Sequence, residues 1–230
     1  ILLDYSSIAM SSIMVRVDDF QEQPELVRHQ IFNIIRQYNE RFRSDFGEMV
    51  IAMDHTNVWR KKSFPFYKAN RKKQRKESKH DWTDKDFVQL QKYPNVKQFS
   101  NIQKKWIEPD IDPITDLEIK VLKGDMGDGI PNVMSEDDVL IEEGARQTPL
   151  RKAKMDMLMQ DPEALGTSIA RRIIRNRDMI DLSRCPDYLK EEILEAFSKP
   201  ARGSVNRLMT LFTKNQMKLL LESLQDFEIR

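Results

Sequence analysis

The chain has 230 residues, of which 40% are hydrophobic, so it can bury a sizeable core and is no disordered tail. Its 38 Lys+Arg against 37 Asp+Glu give a formal net charge of +1, which argues against a uniformly basic nucleic-acid coat. No run approaches the ~18 apolar residues of a membrane span, and no basic stretch leads into an apolar one as in a signal peptide. The lone Cys185 forms neither an intrachain disulfide nor a Cys-rich zinc site, which fits a reducing cytosol. The chain opens inside an apolar strand without an initiator Met, so residues are expected to precede it.

In chain order, Ile1-Leu2-Leu3-Asp4 reads as a buried parallel strand ending on a carboxylate and feeding a helix. Over residues 24–46, Leu26, Ile31, Ile34, Ile35, Tyr38 and Phe42 recur at three- and four-residue steps, the mark of an amphipathic helix. Met49-Val50-Ile51-Ala52-Met53 gives a second apolar strand that ends at Asp54. Strand, helix, strand predicts a parallel unit with both aspartates at one rim of the sheet, where open α/β folds place their sites.

The near-zero charge hides an asymmetry. Residues 60–80 hold ten basic side chains and one acid, Glu77, a local +9 that leaves −8 for the remainder. A charge run is usually a solvated helix face. Here it is interleaved with Trp59, Phe64, Phe66 and Tyr67, and cations beside rings suit a strand of nucleic acid.

Beyond the basic stretch, Thr83-Asp84-Lys85-Asp86 reads as an extended segment in which Asp84 and Asp86 face one way. Tyr93-Pro94-Asn95 turns into a short strand over 96–99, and Lys104-Lys105-Trp106-Ile107 is its expected hairpin partner. A short helix is predicted over 116–123, ending at Gly124-Asp125-Met126-Gly127-Asp128-Gly129-Ile130-Pro131. From there the pattern predicts helices nearly to the end, with residues 189–197 and 216–227 amphipathic. No apolar strand precedes Asp84 as one precedes Asp4 and Asp54. The numbered chain is therefore expected to join segments across absent residues between about Ser78 and Thr83.

Six aspartates, Asp4, Asp54, Asp84, Asp86, Asp125 and Asp128, stand at strand ends or in turns. One such Asp alone is more often a cap or turn residue. Together they are hard oxygen donors of the kind that hold Mg²⁺ or Mn²⁺, and clustered carboxylates need cations between them. Two divalent ions clamping a phosphodiester for attack by water are the usual reason for such a set. His29, His55 and His80 lack ligand spacing, the twelve methionines read as core, and no covalent nucleophile is evident.

Asp4, Asp54, Tyr67-Lys68-Ala69-Asn70-Arg71, Thr83-Asp84-Lys85-Asp86 and the 124–131 segment occur in the order found in flap endonucleases and 5′ nucleases. Lys92-Tyr93-Pro94-Asn95-Val96-Lys97-Gln98 with Lys104-Lys105-Trp106 resembles the ribonucleases H of T-even bacteriophages. The resemblance implies an α/β fold with a mostly parallel central sheet flanked by helices, a PIN-like 5′ nuclease core. The core would span residues 1–112, with a basic arch at about 58–80. A helical duplex-binding region with a helix–three-turn–helix element would span 113–230. It further implies a Mg²⁺-dependent 5′ to 3′ exonuclease and flap endonuclease on RNA·DNA and DNA·DNA duplexes, removing RNA primers in phage replication.

By the same likeness, Asp4, Asp54 and Asp84 map to a first Mg²⁺, and Asp86, Asp125 and Asp128 to a second, with Mn²⁺ able to substitute. Lys68 and Arg71 map to the basic pair at the scissile phosphate, beside Asp54 in the catalytic set. Arg60, Lys61, Lys62, Tyr67, Lys72, Lys73 and Arg75 would line the nucleic acid, and Gly127 and Gly129 would bring backbone amides to the duplex. Expected partners are forked or flapped DNA, and by analogy the phage single-stranded-DNA-binding protein and sliding clamp. The protein would be a monomer in the cytoplasm of the infected host.

Two departures stand out. The family's Glu-Ala-Asp-Asp block is absent, its place being the junction after Trp82, and Asn132-Val133-Met134-Ser135-Glu136 replaces the Gly-Ile-Gly pattern of cellular flap endonucleases. A non-catalytic fork-binding module and a structured-RNA endoribonuclease are the competing readings.

Overall fold

The structure, a computed structural model, describes residues 1–14, 24–54, 58–70, 86–100, 103–199 and 203–227. Its elements in chain order are β1 (Leu2–Asp4), α1 (Tyr5–Met14), α2 (Pro24–Phe46), β2 (Val50–Ala52), α3 (Trp59–Ser63), a 3₁₀ helix (Asp86–Lys92), β3 (Gln98–Ser100), β4 (Lys105–Ile107), α4 (Pro113–Lys123), α5 (Lys152–Gln160), α6 (Thr167–Ile180), α7 (Asp187–Ser198), α8 (Val205–Lys214) and α9 (Lys218–Glu222). The chain forms two compact units, one of Ile1–Thr56 with Ser198–Arg230, the other of Asn57–Phe197. Among the described residues no helix is long and apolar enough to cross a membrane.

In the first unit β1 and β2 pair in parallel, Leu2 opposite Val50, Leu3 opposite Ile51 and Asp4 opposite Ala52. The expected strand–helix–strand unit is present, with α1 and α2 in the crossover. Leu3 and Ile8 are buried, as are Val27, Tyr38 and Phe42 along one stripe of α2. Burial pushes the Tyr38 hydroxyl up to about 12. The C-terminal segment of this unit has its own apolar centre of Phe212, Met217 and Leu220. Phe32 of α2 meets Phe212 edge-on, ring centroids 5.2 Å apart, and Arg36 pairs with Asp226 at 2.7 Å.

In the second unit the core gathers Phe64 and Tyr67, Leu117, Val121 and Leu122 of α4, Ile130, Val133, Leu158, and Ile173, Met179 and Ile180 of α6. The ends of α4 follow from the sequence. Asp112 accepts a hydrogen bond from the Thr115 amide at 2.9 Å, Pro113 stands at the first helical position, and Gly124 closes the helix at φ 70°. A Cβ on Gly124 would lie 2.4 Å from the Ile130 carbonyl oxygen, so only glycine lets the chain turn there.

Four expectations are corrected. The mostly parallel central sheet is, among the described residues, one pair of parallel strands, β1 and β2, with a separate antiparallel hairpin of β3 and β4. The hairpin itself lies where the turn at Pro94-Asn95 predicts it, Phe99 opposite Trp106. Asp86 opens a 3₁₀ helix instead of an extended segment, because the buried Gln89 side chain donates to the carbonyls of Asp86 and Ile180 and accepts from the Leu182 amide. Residues 132–150 form turns, not helix. There the Asn132 side chain satisfies local backbone groups, accepting from the Met134 amide and donating to the Thr148 carbonyl. The amphipathic run 216–227 begins only at Lys218, after Gln216 at φ 54° and the Met217 amide on the Phe212 carbonyl close α8, and it breaks at Ser223, whose amide bonds the Leu220 carbonyl, into α9 and a 3₁₀ turn (Leu224–Phe227).

The Asp112 cap gives a pH-dependent expectation. The Thr115 amide and hydroxyl hold its carboxyl below 3.8, so its contribution is present above the ordinary carboxyl value and is lost as pH falls through the lowered one. Asp112→Ala therefore lowers the urea midpoint at pH 7, and the deficit narrows at pH 3.

Candidate active site

In the first unit, β1 ends on Asp4 and β2 is followed by Asp54, so the parallel register brings both carboxylates to the same end of the strands. Ser6, at the start of α1, joins them. Its amide donates to Asp4 Oδ1 at 2.9 Å, and its hydroxyl donates to Asp54 Oδ2 at 3.0 Å. Asp54 is exposed.

The second unit holds a cavity of about 150 Å³ lined by Arg60, Tyr67, Lys68, Asp86, Asp125 and Asp128 with an apolar floor that includes Ile130, Met179 and Ile180. Six residues singled out from sequence thus share one cavity. They come from segments far apart in the chain, brought together by two turns. The 64–70 turn docks on the 124–131 turn: the Lys68 amide donates to the Asp128 carbonyl at 2.7 Å, and Asn70 Nδ2 donates to the Met126 carbonyl at 2.7 Å. Tyr67 donates its hydroxyl to Asp128 Oδ2 at 2.8 Å. Lys68 Nζ lies 3.6 Å from Asp128 Oδ1 and 4.9 Å from the Tyr67 ring centroid.

This docking explains two backbone features. Lys68 has φ 59°, a left-handed conformation costing roughly 1–2 kcal/mol in a non-glycine residue. Gly129, at φ 73°, lies against it, and a Cβ there would meet the Phe66 carbonyl oxygen at 2.9 Å and the Lys68 amide at 3.1 Å. The absence of a side chain on Gly129 lets the turns approach.

Placement corrects the role of Tyr67. It is only 4% exposed and its ring belongs to the core, so it has no open face for a base and instead positions Asp128 and Lys68. Phe64, read with it as a ring facing nucleic acid, is buried as well. In the 124–131 turn the amides of Asp128, Gly129 and Ile130 donate to Asp125 Oδ1, the Met126 carbonyl and the Asp125 carbonyl. Gly129 thus packs and bonds within the protein, whereas Gly127 is exposed at the tip. Arg60 is fixed at the cavity by donating Nε to the Met179 carbonyl at 2.8 Å; Lys61 and Lys62 on α3 are exposed. Arg71, Lys72, Lys73, Arg75, Asp84 and the junction at 78–83 lie outside the described residues.

Two residues at the site were missed from sequence. Lys120, in the last turn of α4, pairs with Asp86 and also reaches Asp125 Oδ2 at 3.5 Å, an ammonium between two carboxylates. A lysine near a helix C-terminus is so ordinary that nothing marked it. Asn176, fully buried on α6, donates to the carbonyls of Val121 at 2.8 Å and Pro131 at 3.0 Å, tying α6 to the end of α4 and to the turn that presents Asp125 and Asp128. Beside it Arg175 pairs with Asp137, and Arg177 clamps Glu118 with two bonds of 2.6 and 2.5 Å. Burial pulls the Arg175 guanidinium below its ordinary value, while Asp137 opposes the shift.

The donor chemistry suits a hard divalent cation: the carboxylates of Asp86, Asp125 and Asp128 line one cavity, and two of them already hold a cation, the Lys120 ammonium. Among the described residues no three His, Cys, Asp or Glu side chains stand close enough together to form a ligand set.

Residues 111–227 match the family described as T4 RNase H, C terminal. The chain belongs to the T4 RNase H family. It is 27% identical to the ribonuclease H of Enterobacteria phage T4, over 98% of this chain and 95% of that protein. That alignment spans 297 positions, more than the 230 residues here, so the phage T4 protein carries segments with no counterpart in this chain. The kinship supports a nuclease function.

Asn176→Ala removes the donor to the Val121 carbonyl and leaves the Pro131 carbonyl only the 3.3 Å bond from Arg175 Nη2, and is expected to cost about 2–3 kcal/mol. Urea unfolding of the purified protein measures it; a loss under 0.5 kcal/mol contradicts the buttressing role.

Proposed function

We propose that the chain is a metal-dependent nuclease acting 5′ to 3′ on RNA·DNA and DNA·DNA duplexes, with flap endonuclease activity, of the kind that removes RNA primers. Residues 113–230 are proposed as its duplex-binding region. The observation that carries the reading is the docking of the 64–70 turn on the 124–131 turn, which sets Lys68 beside Asp128 in a cavity that Asp86 and Asp125 also line.

Asp86, Asp125 and Asp128 are the carboxylates that would serve a divalent cation in the second unit, which requires them to close in from positions where, with Lys120 between two of them, they form no ready ligand set; Asp4 and Asp54 are a further carboxylate pair suited to one in the first. Such a cation, when bound, polarises the phosphodiester and lowers the pKa of its water. The chain's own groups do the rest. Lys68 and Arg60 present fixed positive charge to the phosphate and offset the charge that gathers on it as water attacks. Tyr67 and Asp128 hold the Lys68 side chain, so little reorganisation is needed when substrate arrives. Ile130, Met179 and Ile180 keep the cavity floor apolar, which strengthens each of these interactions.

One observation favours the fork-binding module instead: Lys120 already neutralises Asp86 and Asp125. Cleavage of a 5′-labelled flap and of an RNA·DNA duplex, with Mg²⁺ and with chelator, separates the readings. A nuclease shows Mg²⁺-dependent products; a binding module retards both substrates and yields none. Asp125→Asn and Asp54→Asn should each lower the cleavage rate at least 100-fold while leaving the dissociation constant for the flap within about threefold. Lys68→Ala should slow cleavage and flatten the salt dependence of binding by about one unit of slope.

A further inference from the structure

The second unit contains another cavity, about 190 Å³, beside the β3–β4 hairpin, and it is lined by Tyr93 and Trp106 among others. These rings are 50% and 37% exposed, so neither belongs to the core. They are nonetheless held in place. Trp106 meets Phe99 edge-on at 5.3 Å between centroids. The Tyr93 backbone is set by the Val96 amide on the Tyr93 carbonyl at 3.0 Å, Gln91 Nε2 donates to the Ile107 carbonyl at 3.0 Å, fixing the 3₁₀ helix to β4, and Lys92 Nζ lies over the Tyr93 ring, 5.3 Å from its centroid, so a base would stack on the other face. The surroundings are strongly basic: residues 91–108 hold four lysines, Lys92, Lys97, Lys104 and Lys105, against one carboxylate, Glu108.

Fixed, exposed rings within a cluster of cations are what a polyanion with flat apolar groups requires. Rings accept any base by stacking, and lysines meet the phosphates between bases. A protein partner would need an acidic surface carrying its own apolar knobs; a single nucleic-acid strand supplies both at every step. We propose that Tyr93 and Trp106 form a stacking site for an unpaired nucleotide of a single strand.

The site's position sharpens the assignment. The seven-residue 3₁₀ helix runs from Asp86, at the first cavity, to Lys92, between Gln91 and Tyr93 of the second. At about 2 Å per residue it spans about 12 Å, and at 3.4 Å per nucleotide that is three to four steps of a stacked strand. On the nuclease reading given above, on which only this spacing rests, the stacked nucleotide lies three to four positions from the cleaved bond.

The test is an abasic scan. Full-length chain in chelator is titrated, by fluorescence anisotropy, with flap oligonucleotides in which one nucleotide at a time is replaced by an abasic unit. One or two adjacent positions, three to four nucleotides from the cleaved bond or from the duplex junction, should weaken binding about tenfold. Tyr93→Leu, an exposed position whose folding is checked by thermal melting, should abolish that position-specific loss. Lys97→Gln should weaken all the oligonucleotides alike, keep the profile and reduce the salt slope by about one unit. A flat abasic profile in the native protein, or a profile unchanged in both Tyr93→Leu and Trp106→Leu, overturns the proposal, and so does failure to bind the strand at all. Cleavage of the unmodified flap in Mg²⁺ is scored separately. A position-specific profile without cleavage leaves the stacking site standing and removes the nuclease reading; cleavage with a flat profile does the reverse.

Discussion

The candidate site depends on the contact between the 64–70 and 124–131 turns. Neither turn is regular structure, so neither is stiff alone. Each satisfies backbone groups of the other: the Lys68 amide on the Asp128 carbonyl, and the Asn70 amide group on the Met126 carbonyl. Buried groups left unpaired would cost a few kcal/mol each, so the pairing fixes the turns relative to one another. The left-handed Lys68 and the side-chain-free Gly129 are the geometric conditions for that approach. Asn176 supplies the third support, from behind, by holding the carbonyls of Val121 and Pro131 at the two ends of the turn that carries the aspartates.

This arrangement makes function and stability share residues. Tyr67 is a core aromatic whose one polar atom reaches Asp128, so its ring contributes burial while its hydroxyl orients a carboxylate. Ile130 serves the core and the cavity floor at once. A site built on packed residues is precise because its side chains have few alternative rotamers, and that rigidity is what electrostatic preorganisation requires.

Local features were legible in the sequence and non-local ones were not. The cap at Asp112, Pro113 and the stop at Gly124 follow from short-range chemistry, as do the two strands that end near Asp4 and Asp54 and the turn into the hairpin. Tyr67, Lys68, Asp86, Asp125 and Asp128, which the motif order singles out, line one cavity. Asn176 and Lys120 were invisible because Pro131 and Asp86, which they bond, lie 45 and 34 residues away along the chain, and neither residue type is unusual on a helix. Tyr67 was misread for a related reason: an aromatic in a basic stretch looks like a surface ring until the core that receives it is known. The 3₁₀ helix at Asp86 escaped because a buried glutamine, Gln89, sets its shape through bonds to residues about ninety positions on, Ile180 and Leu182.

The charge distribution takes on a different meaning with the pairs in view. The acids of the second unit are not a bare negative surface, since Asp86 and Asp125 share Lys120, Asp128 faces Lys68, and Glu118 and Asp137 are clamped by Arg177 and Arg175. Paired charges cancel within a few ångströms, well inside the Debye length of about 10 Å at 0.1 M salt. At longer range a phosphate meets the summed charge of each stretch, and by sequence the run at 60–80 carries +9 and residues 91–108 carry four lysines against one carboxylate. The near-zero net charge of the whole chain is compatible with nucleic-acid attraction because the acids of the cavity are matched locally by Lys120 and Lys68, while the sequence concentrates basic residues in one run.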